Sequence, residues 1–261
     1  RMKKIYKIAI LAIIIAVIFL SGAFFLKTAY VVPVMMYHSI DYKDKVMKLS
    51  VSPESFASQI EFLHTHRYNV VGLDKIALYL QKKEAVPSRT VAITFDDGYY
   101  NNYQYAYPIL KKYNIPATIF VIVSKIGTEG YLGWKELKEM SDSGVITIGS
   151  HTMSHLWLSA MGTKQLAYEL RASKEALEKG LGKKVDFLCY PIGAHDDRVE
   201  RVAKAAGYTC AVATNPGPSA PDDDVYAVKR IKVSRTSDNL IAFWAETSGY
   251  YTWIKEHRDK Q

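Results

Sequence analysis

Short runs rich in β-branched and aromatic residues alternate with longer stretches of helical periodicity through most of this 261-residue chain. The strand-like runs are 31–37, 70–71, 90–95, 118–123, 145–148, 185–189, 209–213 and 228–233; helical patterns fill 53–66, 73–81, 103–113, 134–141, 163–179 and 198–206. Asn114, Gly144, Gly180 and Gly207 stand where left-handed residues would close helices. Repeated strand–helix alternation implies a mostly parallel sheet covered by helices. Seven or eight such strands predict an α/β fold closed, or nearly closed, into a barrel. In a barrel of this kind reactive side chains gather where strands end and loops begin. That rule directs attention to Asp96 and Asp97, just after the 90–95 run, and to His151, just after 145–148.

Ahead of the alternating region lies an uncharged apolar stretch, 8–26, preceded by Arg1, Lys3, Lys4 and Lys7 and followed by Lys27. It matches the roughly 20 residues a helix needs to cross a bilayer, and it exceeds the roughly 7–15 apolar residues of a secretory signal. Residues 1–28 are therefore expected to form a single-pass transmembrane helix with its cationic end in the cytosol, and 29–261 one extracellular catalytic domain. The alternative is a signal cleaved near Ser21-Gly22-Ala23, which would release the domain as a secreted protein. The formal charge of +8 does not mark a nucleic-acid binder: Arg1, Lys3, Lys4 and Lys7 supply four of those charges, so the remainder carries +4. Cys189 and Cys210 do not have zinc-ligand spacing; outside the cell they either pair or stay as two buried thiols.

Two motifs carry the chemistry. Thr94-Phe95-Asp96-Asp97-Gly98-Tyr99 sets two adjacent carboxylates at the mouth of a buried strand, with a glycine that lets the chain turn sharply. Read alone, it describes a strand-to-helix turn with an aspartate cap. His151-Thr152-Met153-Ser154-His155 spaces two imidazoles four residues apart, so that one helical turn or a helical loop would project both to the same side. Two imidazoles and one carboxylate make three protein ligands for a divalent metal and leave a position for water. The second carboxylate is then available as a general base.

These residues, followed by Tyr190-Pro191-Ile192-Gly193, resemble in order and spacing the polysaccharide deacetylases, carbohydrate esterase family four or the NodB-homology domain. The resemblance implies a distorted (β/α) barrel in which Asp97, His151 and His155 hold the metal, zinc or another divalent transition ion, and Asp96 is the base. It implies that Tyr190, Pro191 and Ile192 form a wall of the substrate groove, with the Ile192 N–H facing the oxyanion; Trp134 either lines the same groove, as in relatives, or is core. The substrate implied is an extracellular polymer containing N-acetylglucosamine, either poly-N-acetylglucosamine or peptidoglycan, from which acetate is released; no protein partner is implied.

The chain departs from the family pattern twice. The arginine that commonly supports the base is missing ahead of Tyr190, where Leu188-Cys189 stand; Arg230, in Lys229-Arg230-Ile231, is either its substitute, grouped with the substrate-binding residues, or a plain surface or structural arginine. The late histidine that acts as general acid in many members is also missing. Met35-Met36-Tyr37-His38-Ser39 is similar to the early Tyr-His motif of the branch that includes poly-β-1,6-N-acetylglucosamine deacetylases, which gives His38 the acid's role. Competing readings are an O-acetyl esterase on a glycan and a catalytically silent wall-binding module.

Overall fold

The structure is a computed structural model that describes residues 2–42, 49–215, 217 and 222–258. Arg1, at the head of the cationic flank, lies outside the described residues. The helix α1 (Met2–Thr28) precedes a parallel sheet built from β1 (Val34–Tyr37), β2 (Asn69–Val70), β3 (Thr90–Phe95), β4 (Ala117–Val121), β5 (Ile146–Ser150), β6 (Phe187–Cys189), β7 (Cys210–Val212) and β8 (Ile231–Lys232). Around it lie α2 (Pro53–Thr65), α3 (Leu73–Lys82), α4 (Tyr107–Tyr113), α5 (Trp134–Asp142), α6 (Thr163–Leu181), α7 (Asp197–Ala205), α8 (Leu240–Glu246) and α9 (Tyr251–Arg258).

The strand order is β7-β6-β5-β4-β3-β1-β8, with β2 paired to β3. Residues 228–232 join the two ends of this sheet: Val228 bridges Val212 beside β7, while Ile231 and Lys232 pair with Met35 and Met36 of β1. The result is a distorted barrel of parallel strands, as the alternation predicts. Strand direction is common to all, so the ring has one base, where strands begin, and one rim, where they end.

Period-two alternation decides what faces the barrel's interior. Val34, Ala92, Phe120, Phe187, Cys189, Cys210, Val212 and Val228 share one apolar cluster with Leu73, Ile76 and Ala77 of α3. The intervening positions, such as Met35, Tyr37, Ile93, Phe95, Ile119 and Ile148, pack outward under the helices. Gly149 has a local reason: a Cβ there would meet the Phe120 ring at 2.5 Å, so only glycine lets that ring fill the interior.

Several expected boundaries shift. The helix expected over 103–113 is a π-helical turn, Asn102–Ala106, running into α4, and α6 continues two residues past its expected end. Gly180 is accordingly inside α6, and Gly182, at φ 70°, is the residue that caps it. Helices α8 and α9, short and mixed in pattern, are not anticipated by the sequence. Both cysteines are buried free thiols.

Candidate active site

Followed upward along the interior face, four of the segments end in a reactive side chain at the rim. Val34 and Met36 lead to His38, Ala92 and Thr94 to Asp96, Thr147 and Gly149 to His151, and Val228 to Arg230. A cleft of about 280 Å³ opens there; it includes these four residues with Asp97, His155, Tyr190, Ile192, Thr214 and Lys232.

Asp97 is out of phase with that alternation, and its left-handed backbone at φ 70° turns the carboxylate back over the mouth. The next residue, Gly98, also has positive φ, and a Cβ on it would lie 2.8 Å from Val121 Cγ1. The His-x-x-x-His segment is an irregular loop rather than a helical turn, with Thr152 and His155 both left-handed. Side chains hold it in place: Ser150 Oγ accepts from Thr152 N–H, Thr152 Oγ1 from His155 N–H, and Glu169 Oε2 from Ser154 N–H. Such backbone outliers persist only where surrounding structure enforces them, and they concentrate at functional sites.

The outcome is a three-pointed arrangement. Asp97 Oδ1 is 3.6 Å from His151 Nε2 and 3.7 Å from His155 Nε2. These separations exceed hydrogen-bond range. Two ligand atoms each about 2.1 Å from one tetrahedral ion stand about 3.4 Å apart, so the spacing suits a shared divalent ion. His151 Nδ1 faces the Cys189 carbonyl at 2.9 Å, which fixes the ring and leaves Nε2 aimed at Asp97. Burial depresses the His151 pKa, opposed by the charges of Asp96 and Asp97, which favours the neutral, ligating form. A second cluster, Asp96 with His151 and Cys189, is less suited to a cation because Arg230 already occupies its carboxylate and thiol.

Asp96 has a different environment from its neighbour. Arg230 Nη1 and Nη2 each donate to one of its carboxylate oxygens at 2.7 Å. Burial would raise the Asp96 carboxyl, but the guanidinium more than offsets it, aided by His151 and His38, and holds it well below the ordinary carboxylate range. The remaining Arg230 donors go to Thr94 Oγ1, Ala213 O and Cys189 Sγ. All five guanidinium hydrogens are thereby engaged. Arg230, 3% exposed, therefore has none left for a sugar: its place is beneath the carboxylate, which corrects its grouping with substrate-binding residues.

His38 Nε2 lies 4.0 Å from Asp96 Oδ2, and its Nδ1 is buried without a hydrogen-bond partner. Tyr190 is buried at the cleft wall with its ring stacked on His195, and Ile192 is left-handed and exposed at the edge. Pro191 and Trp134 are not brought to the cleft; Pro191 is buried and the Trp134 ring covers Gly180 of α6. Cys189, Thr214 and Lys232 escaped sequence reading. Lys232 had a detectable signal, since it follows Arg230 by two residues on the same strand face.

A family model described as polysaccharide deacetylase matches residues 83–211. The poly-beta-1,6-N-acetyl-D-glucosamine N-deacetylase of Staphylococcus aureus is 33% identical over 214 residues, covering 77% of this chain and 73% of that protein. Among solved structures, the Streptococcus pyogenes deacetylase PplD in complex with acetate superposes with a TM-score of 0.74 at 28% identity, over 82% of this chain and 97% of that one. IcaB from Ammonifex degensii gives 0.73 at 27% identity, over 83% and 97%.

Proposed function

Because the chain belongs to the polysaccharide deacetylase family and is an enzyme of that class, we propose that it removes N-acetyl groups from extracellular poly-β-1,6-N-acetylglucosamine, with Asp97, His151 and His155 holding a zinc ion. One observation carries the reading: two adjacent carboxylates are divided between tasks, Asp97 facing two imidazoles and Asp96 facing a guanidinium. A divalent ion bound by the first set would supply Lewis acidity to the acetyl carbonyl and to a water molecule.

Asp96 accepts the proton of the attacking water. Paired to Arg230 it stays ionised at neutral pH and is held in one orientation, at the expense of basicity. His38, at the end of the neighbouring strand β1 and 4.0 Å from Asp96, delivers a proton to the departing amine. An amide needs that acid more than an ester does, because an amine anion is a far poorer leaving group than an alkoxide. The N–H of Ile192 faces the oxyanion, and Tyr190 and Ile192 shape the wall against which the sugar lies.

The substrate assignment is supported by the activity of the Staphylococcus aureus relative. Residues 1–28 act as the membrane anchor and 29–261 as the catalytic domain outside the cell; α1 includes an apolar span, Ile10–Thr28, long enough to cross a bilayer. The test is acetate release by the purified chain from β-1,6-linked N-acetylglucosamine oligomers, chitin oligomers and peptidoglycan, with and without chelator. Activity on the β-1,6 oligomers that chelator abolishes supports the assignment. Release from peptidoglycan alone, or release indifferent to chelator, overturns the substrate or the metal respectively.

A further inference from the structure

The end of α1 is fastened to the catalytic domain. Val31 N–H donates to Gly249 O at 2.8 Å, and Tyr30 packs edge-on against Tyr250. Phe25, in the last turns of α1, meets Trp253 of α9 edge-on at 5.0 Å. These contacts put the turn between α8 and α9, and α9 itself, beside the point where α1 enters the base of the barrel.

That region exposes large apolar side chains. Trp244 is 56% and Ile254 54% exposed, and both line a groove of about 470 Å³ with Tyr68, Tyr250, Tyr251 and Arg89. Ile241, one turn before Trp244 on α8, is 75% exposed. The last turn of α9 carries Lys255, His257 and Arg258.

We propose that this α8–α9 side of the barrel base is a bilayer-docking surface, with Trp244 and Ile254 seated in the interfacial zone of an anionic membrane. The inference rests on the reading of α1 as a membrane anchor. Its length supplies the argument: the uncharged apolar stretch, 8–26, has 19 residues. At about 1.5 Å per residue it reaches roughly 28 Å, against a hydrocarbon core of roughly 30 Å. Only Lys27 and Thr28 of α1 follow it, less than one helical turn, so no stalk is left over: Phe25 sits at the hydrocarbon boundary and Trp253, in contact with it, lies in the headgroup layer. Tryptophan and tyrosine favour that layer, and basic side chains beside them attract anionic headgroups. A soluble protein partner would have to displace lipid already adjacent to Trp253. The arrangement also orients catalysis, because strands run from base to rim and the cleft consequently opens away from the bilayer, toward polymer outside the cell.

The experiment uses the full chain reconstituted into phosphatidylcholine–phosphatidylglycerol vesicles whose acyl chains carry bromine near the headgroup, which quenches tryptophan fluorescence on contact. Of the four tryptophans, Trp134 covers Gly180 and Trp157 bonds to Ser159 near the rim, so the quenching is expected from Trp244 and Trp253. Trp244→Phe, a conservative change at an exposed position, is expected to remove roughly half of the quenched amplitude. In a second arm, Ile254→Cys labelled with a polarity-sensitive fluorophore shifts to the blue on reconstitution. Undiminished quenching in Trp244→Phe, or an unshifted label, overturns the docking surface. Alkaline carbonate distinguishes this from failure of the anchor: a chain extracted from the vesicles overturns both readings, whereas a retained chain with unchanged quenching overturns the docking surface alone.

Discussion

Replacing Arg230 with methionine keeps most of the side-chain volume and removes the guanidinium paired with the buried Asp96 carboxylate. Breaking a buried pair from one side costs about 3–5 kcal/mol, because the remaining charge stays out of water. Total stabilities of domains are about 5–15 kcal/mol, so the loss is large but survivable. Its pH dependence follows from Asp96. In the parent the carboxyl is held below its ordinary value, so its contribution is present above the unfolded pKa, near 4, and fades as pH falls through the lower folded value. In the variant burial remains and the guanidinium is gone, so the folded pKa rises above 4 and stability declines as pH increases through that range. The gap between parent and variant is therefore expected to be widest at pH 8 and to narrow at pH 4. Guanidinium unfolding followed by tyrosine and tryptophan fluorescence at both pH values measures it. Adding Asp96→Asn to Arg230→Met should restore part of the loss, since no uncompensated charge remains. Acetate release by the single variant should fall by about a hundredfold or more, the scale of general-base catalysis. A gap that is equal at both pH values, together with a double variant no more stable than Arg230→Met, would refute the reasoning.

Three further outcomes are expected. His38→Ala keeps its metal content and loses about 10²–10⁴-fold in acetate release from N-acetylglucosamine oligomers, with a smaller loss on an O-acetyl ester; parent-like amide turnover would remove His38 from the mechanism. Asp97→Ala, assayed by mass spectrometry of the native protein, is expected to lose bound divalent metal, and full occupancy would contradict the three-ligand assignment. Glu246, buried with one oxygen bonded to Ser237 Oγ and the other unpartnered, has its carboxyl raised from 4.5 to about 7 by burial. A raised carboxyl adds stability that is complete below the unfolded pKa and disappears as pH climbs through the folded one, leaving a deficit of about 3 kcal/mol at pH 8. Glu246→Gln should therefore be more stable than the parent at pH 8 and equal to it near pH 4; equal curves throughout would place the titration elsewhere.

Strand positions were readable because β-branched runs bounded by turn residues are local signals, and β3 occupies the run 90–95 as expected. Helix α6 runs on because Leu181 still packs in the core, an interaction that no local pattern announces. Trp134 was ambiguous for a related reason. A tryptophan beside a glycine-rich turn reads equally well as groove or as packing, and here the absence of a Cβ at Gly180, 46 residues away, draws the ring onto α6. Helices α8 and α9 were missed since seven or eight residues of mixed pattern give periodicity too little length to register.

Alternation along single strands, present in the sequence itself, already assigned His38, Asp96, His151 and Arg230 to one face of their segments, because side-chain direction in a strand depends only on parity. Only the closed barrel decided that these faces converge. Asp96 and Arg230 are 134 residues apart, and their bidentate contact exists because 228–232 joins the sheet edge beside β1. Likewise Asp97 reaches the two imidazoles through a left-handed backbone that its surroundings impose. Parity is a local property of the chain, whereas the charge environment that separates two neighbouring aspartates is created by residues that meet only when the barrel forms.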